Sequence, residues 1–290
     1  KPVLKGFSFG LALSIVVKQL PSVLQVHPEH SDFFRQIWGF ITAYQDWNVY
    51  AFGMGIVTFA TLKLTQSYKT IPVALLLIIL GISLNVLGYT AQWGIHSVGH
   101  FEFVLPSASL PNLSMNSWLQ LVEIALAVAL IVYAESYTSI RTFALKYNDP
   151  SEPNRDLIAL GVGNILSGLL KGMPLGAGYS ATSANEAAGA TSKKSAWVAA
   201  LAVILFLVCF RQYIANIPEP ILASIVMYAV SGHIRLAPFK QYFIWRKDRI
   251  LSITAIWAVI IFGVLNGLII AIAVSILMML SNFGIGGFIG

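Results

Sequence analysis

Two places in this chain combine residue types and spacing that could act on a charged solute. The first is KGMPLGAGYSATSANEAAGATSKKS, residues 171–195. It carries no run of bulky apolar side chains, although VGNILSGLL precedes it and AWVAALAVILFLVCF follows it. Pro174 stops the preceding helix, and Gly176, Ala177 and Gly178 suit an extended segment under close contact. Helix resumes at Ser180, a good N-cap, with Thr182 and Ser183 in the first turn. The N–H groups at such a start have no intrahelical acceptor, and the peptide dipoles add roughly half a positive charge, so the spot favours an anion. The competing reading is a packing segment, since Gly168, Gly172 and Gly176 at spacing four let helices approach closely. Packing alone requires no proline break followed by a cap, which favours the site.

The second place is AESYTSIRTF, residues 134–143. Glu135 stands near the end of an apolar run, where an ionised carboxylate is costly and faces a bundle interior or an aqueous cavity. Beside an anion site it fits a proton carrier, because protonation removes its repulsion of the anion. The competing reading is an interfacial Glu that snorkels or pairs with Arg141. Glu123, about 120° round the same helix, reads as a solvated residue of the outer mouth. Glu186 suits helix packing and an inner vestibule equally.

Other patterns carry less. A nucleophile elbow needs glycine two residues after Ser180, where Thr182 stands, and no Gly-Lys-Ser/Thr closes the run as a Walker loop requires. An enzyme is therefore not expected, nor any cofactor. His27, His30, His96 and His100 fall in two outer loops at spacings that fit no strong metal pattern. Asn112-Leu113-Ser114 is a glycosylation sequon, and residues 233–249, HIRLAPFKQYFIWRKDR, read as an amphipathic connector on the inner leaflet.

The elements that must position these residues follow from composition. Of 290 residues, 57% are hydrophobic and 10% charged, against about 25% charged in soluble domains. That excess of apolar surface requires a bilayer. The single Cys209 excludes an intrachain disulfide. The net charge of +6 comes without a basic cluster interleaved with aromatics, so the partner is the lipid bilayer and not nucleic acid. The chain starts at Lys1 inside an apolar segment, which reads as a fragment of a longer polypeptide.

Apolar stretches long enough for spans occur at 4–24, 48–66, 70–92, 117–140, 195–210, 217–233 and 250–282. The last exceeds one span, and Asn266-Gly267 near its middle predicts a tight re-entry or two shorter helices. Segment 156–172, with Asn164, Ser167 and four glycines, reads as a helix buried in protein. Alternating spans from a cytoplasmic start put 14 of 18 Lys and Arg inside, as positive-inside bias requires. The same topology carries 171–192 through most of the membrane and sets the new helix start near the midplane.

By motif order the chain resembles the transmembrane domain of the SulP anion transporters, the sulfate permease family. The matching pieces are GFSFGLALSIVVKQLPSVL at 6–24, AESYTSIRTFA at 134–144, NRDLIALGVGNILSGLLKGMPLGAGYSATSANEAAGA at 154–190 and IPEPILASIVMYAVSGHI at 217–234. The resemblance implies an all-α polytopic membrane protein with a seven-plus-seven inverted-repeat transporter fold. The chain then corresponds to about segments 5–14, with a broken tenth segment. It further implies gate-type helices at 4–92 (segments 5–7) and 217–282 (segments 12–14), and core-type helices at 117–210 (segments 8–11). The half-helix site lies at 174–190, a STAS domain commonly follows, and relatives commonly dimerise.

Carried over residue by residue, Glu135 matches the family's acidic residue on the eighth segment, implicated in proton coupling. Gly178, Tyr179 and Ser180 match the tenth-segment site, with Thr182 in the same turn. Ala181 stands where several relatives carry an arginine, so the local field is left to the helix terminus. The function implied is secondary active transport of a small anion, sulfate by family default, across a plasma or inner membrane. Proton symport is favoured if Glu135 titrates. The alternative is an anion channel or a bicarbonate or dicarboxylate exchanger on the same fold.

Overall fold

A computed structural model describes residues 2–28, 30, 32–68, 71–99, 107–108, 112–232, 234 and 246–286. His100, residues 235–245 of the expected connector, and the side chains of Glu123 and Ser180 lie outside the described residues. The chain divides into two compact units, one of residues 1–101 with 210–290 and one of 102–209.

The first unit contains α1 (Pro2–Leu24), α2 (Phe33–Thr42), α3 (Val49–Leu64), α4 (Val73–Val86) and the short α5 (Tyr89–Gln92). Later in the chain α10 (Glu219–Ser231) and α11 (Arg246–Gly286) complete it. Its helices pack through small residues, as expected where lipid provides no hydrophobic drive between them. Gly6 and Gly10 on α1 lie against Ser252 and Ile256 on α11, and a Cβ added at Gly10 would stand 3.0 Å from the Ile256 carbonyl oxygen. The α1–α11 contact is the most extensive in the chain, and α10 packs on both α1 and α3. Buried apolar side chains such as Phe7, Val17, Leu24, Ile221 and Val259 make the core of this unit.

The stretch expected at 250–282 as a re-entry or two helices is α11, which bends at Gly263 with φ 82° and ψ 177°. The break falls three residues before Asn266, at a glycine, the residue that takes such a backbone without a Cβ clash. Gly267 serves the close passage of the two arms, since a Cβ there would meet Val259 N at 2.6 Å. One helix was not foreseen. The stretch expected as an outer loop after α1 contains α2, whose Phe40 is buried against Val17 and Leu24.

The second unit contains α6 (Met115–Tyr147), α7 (Pro153–Leu169), α8 (Tyr179–Ala187) and most of α9 (Lys194–Ile214). Ser114 begins α6 by accepting from Ser117 N–H, and Asn148 ends it in the left-handed region at φ 52°. At 33 residues α6 is about 50 Å long, more than a hydrocarbon core of about 30 Å. Helices 5–24, 115–147 and 194–214 are long and apolar enough to cross a membrane, and several shorter apolar helices accompany them. The chain is a multi-pass integral membrane protein.

Candidate functional site

The break expected at 171–192 is present, and its backbone can be followed residue by residue. Helix α7 ends at Leu169 by a Schellman turn: Gly172 N–H donates to the Ser167 carbonyl at 2.7 Å and Lys171 N–H to that of Gly168 at 3.0 Å. Lys171 takes the left-handed conformation, φ 58°, that this turn demands. Pro174 is thus not what stops the helix. It lies five residues beyond the last turn, inside an extended stretch where its missing N–H leaves no donor to satisfy.

Non-helical backbone at membrane depth needs a partner for each polar group. Here side chains of α6 and α7 supply four such partners. Ser167 Oγ donates to the Met173 carbonyl at 2.7 Å. The Asn164 amide accepts from Leu175 N–H at 2.9 Å and donates to the Leu175 carbonyl at 3.0 Å. Ser136, fully buried, accepts from Ala177 N–H at 2.8 Å. Gly176 brings the stretch against α6, where an added Cβ would lie 3.2 Å from both Ser136 Oγ and Val132 Cγ1.

These fasteners were not singled out as such in the sequence. Asn164 and Ser167 were expected on a helix buried in protein, yet no residue of α7 is buried among the described residues. Their polarity serves the neighbouring extended stretch instead. Of the three spaced glycines, only Gly176 makes an interhelical approach. A Cβ at Gly168 would meet nothing within 4 Å, and at Gly172 it would meet Ser167 of its own turn.

Helix α8 begins at Tyr179 with Gly178 as N-cap, φ −73° and ψ 127°, and no side chain caps it. The expected cap, Ser180, is already inside the helix, because Gly178 takes the cap conformation directly at the end of the extended stretch. The first intrahelical bond runs from Thr182 N–H to the Gly178 carbonyl at 3.1 Å, and Thr182 Oγ1 donates to the same oxygen at 2.9 Å. The N–H groups of Tyr179, Ser180 and Ala181 precede that bond and have no acceptor within the helix. Gly178, Tyr179, Ala181 and Thr182 are exposed, and a Cβ at Gly178 would meet nothing within 4 Å.

Both ends of α8 are tied to the far half of α6. The Tyr179 ring lies 5.5 Å from that of Phe143, and Glu186 is held by Lys146 and Tyr147. Glu186 is therefore a packing residue of α8. Glu135 is exposed and takes no part in the hydrogen bonds that hold 173–177; its neighbour Ser136, about 100° round the helix, is the one that does. Arg141 reaches Ser151 at 3.4 Å. The structure thus gathers residues 178–182 at one helix start and leaves Glu135 on a separate, open face of α6.

Known proteins can be set beside this geometry. The chain is 26% identical over 283 residues to a probable sulfate transporter of Mycobacterium tuberculosis, across 97% of this chain and 50% of that protein. It is 24% identical over 299 residues to solute carrier family 26 member 6 of Homo sapiens, across 96% of this chain and 38% of that protein. The chain thus spans half or less of the length of these relatives. In structure it is similar to the murine Slc26a9 anion transporter in its inward-facing state, with a TM-score of 0.88 at 18% identity over 97% of this chain and 48% of that one. The transmembrane domain of a cyanobacterium bicarbonate transporter, BicA, gives 0.78 at 20% identity over 93% of this chain and 68% of that one. These likenesses show the inverted-repeat transporter fold expected from the sequence. Residues 1–260 match the sulfate permease family, and the chain belongs to that family.

Proposed function

We propose that the chain is part of the transmembrane domain of a secondary active transporter, and that its anion is held at the start of α8. The N–H groups of Tyr179, Ser180 and Ala181 are the donors in this reading, Gly178 permits close approach, and Thr182 stands on the rim. One observation carries it: three N–H donors stand unclaimed at an exposed helix start, while in the extended stretch before them the Met173 carbonyl, both polar groups of Leu175 and the Ala177 N–H are occupied. Such a start supplies both donors and a favourable dipole without any charged side chain.

Sulfate is the proposed substrate, supported by the family and by the sulfate transporter among the relatives. Hydrogencarbonate is the second choice, supported by the likeness to BicA in fold. The chain's division at 101 and 210 supports a gate-type unit from 4–92 and 217–282 and a core-type unit from 117–210. Transport then proceeds by motion of one against the other, with a homodimer as the assembly.

Glu135 is the proposed proton carrier, since it is a carboxylate set one residue from the fastener Ser136 on an apolar helix. Reconstituted protein in liposomes loaded with a pH-sensitive dye tests both parts. Sulfate uptake should be accompanied by proton entry, and Glu135→Gln should keep anion exchange while abolishing proton movement. Uptake without proton entry in the intact protein ends the coupling. Binding of sulfate that is indifferent to changes at Gly178 ends the site.

A further inference from the structure

The first unit holds a cavity of about 180 Å³ that the site at α8 does not involve. Ser14 and Lys18, one turn apart on α1, line it together with Asp32, Phe33 and Gln36 at the start of α2. The last turn of the first arm of α11, residues 259–263, completes the wall. Ser14 and Gln36 are each only 8% exposed. Neither side chain makes a hydrogen bond among the described residues. Their polar atoms are open to the cavity although the side chains are more than nine-tenths buried, so the cavity offers a hydroxyl and an amide to whatever hydrogen-bonds there.

Charge indicates what that something is. Lys18 has no ion pair among the described residues. Asp32, the carboxylate on the same wall, lies 3.7 Å from Arg35 in an exposed pair, which leaves Lys18 as the lining cation without an ion-pair partner among the described residues. Phe33, Ile260 and Phe262 supply an apolar lining, which strengthens polar contacts made inside it. An ammonium, a hydroxyl and an amide N–H converging from two helices form a donor set for oxygen atoms carrying negative charge.

We propose that this cavity is a second anion site, separate from the start of α8, which takes a small oxyanion through the Lys18 ammonium, the Ser14 hydroxyl and the Gln36 amide. Water alone is the competing occupant. Equilibrium binding of radiolabelled sulfate and of radiolabelled hydrogencarbonate to the purified protein in nanodiscs separates the two. Lys18→Gln and Gln36→Leu should each remove one bound anion per chain, or weaken it at least about tenfold, with Lys18→Arg retaining it. The difference from wild type is the readout, so a failure of binding at α8 leaves the test intact. Lys18 is exposed, so Lys18→Gln leaves the fold undisturbed and decides the matter if Gln36→Leu does not fold. Unchanged stoichiometry and affinity for both anions in Lys18→Gln would overturn the proposal and leave a cavity of water.

Discussion

In each unit an extended segment leads into a helix, before α10 in the first and before α8 in the second, and these two starts are finished in opposite ways. In the first unit residues 96–99 pair with 215–219: Val98 N–H donates to Ile217 at 3.0 Å, Gly99 N–H to Ala215 at 3.1 Å, and Glu219 N–H to His96 at 3.0 Å. Helix α10 then starts at Glu219 behind a Pro218 cap, with Pro220 next. Its first N–H is spent on His96 and its second does not exist. Its first turn brings its own carboxylate, held by Gln25 at 3.3 Å. Pro218, Pro220 and Ile221 are buried. At α8 the cap is glycine, the first turn is neutral, and the donors face open space. A strand running into a helix is therefore not itself an anion site. In the proposed reading, what decides is whether the chain supplies the negative charge or leaves that to a solute.

The units differ in the same sense throughout. Every buried apolar side chain among the described residues belongs to the first, whereas the second buries only Ser136 and Ser139. One unit is held by a packed core and the other by polar fasteners on a short extended stretch.

The sharpest way to break the comparison is to give α8 the feature that closes α10. Gly178→Asp places a carboxylate at the N-cap, in a conformation any residue adopts and in empty space. It should fold normally, cap the free N–H groups and repel a bound anion. Sulfate binding should weaken on the order of a hundredfold, near 3 kcal/mol, with uptake falling to background. Gly178→Ala, which adds neither charge nor acceptor, should bind far better than Gly178→Asp. Equal loss in both would mean that shape, not charge, governs the site.

The next largest effect concerns the fasteners. Asn164→Leu removes both bonds to the Leu175 peptide and leaves its N–H and carbonyl unpaired. A loss of about 1–3 kcal/mol is expected, read as a lowered melting temperature in nanodiscs together with lost binding. Ser136→Ala deletes one bond, to Ala177 N–H, at a fully buried position. About 1–2 kcal/mol is expected there. If both variants melt like wild type, the second unit owes its order to something other than these bonds.

What the sequence made legible divides along the same line. Apolar length reported the helices, and the loss of bulky residues at 171–195 reported the break, because both are properties of one contiguous segment. The partners of that break were not legible. Asn164 and Leu175 are eleven residues apart and Ser136 and Ala177 forty-one, and a serine on an apolar helix looks the same whether or not a peptide N–H lies against it. The cap was misplaced for a related reason. Ser180 has the favoured side chain, but Gly178 already has the cap conformation, and the backbone decides where a helix starts. The bend in α11 was foreseen from length but set at Asn266-Gly267, since sequence does not reveal which of two nearby glycines takes a positive φ.

The smallest effect tests the logic from the other side. Glu219→Gln keeps the shape and the hydrogen bond from Gln25 while removing the charge at the start of α10. Loss of the dipole interaction should cost no more than about 1 kcal/mol. No new anion should bind, because the Glu219 N–H remains bonded to His96 and Pro220 has none to offer. Binding measured in a Gly178→Asp background, where α8 is closed, isolates that question. An anion gained there would show that charge alone separates the two starts. No gain would show that the free backbone donors of α8 matter as much as its neutrality.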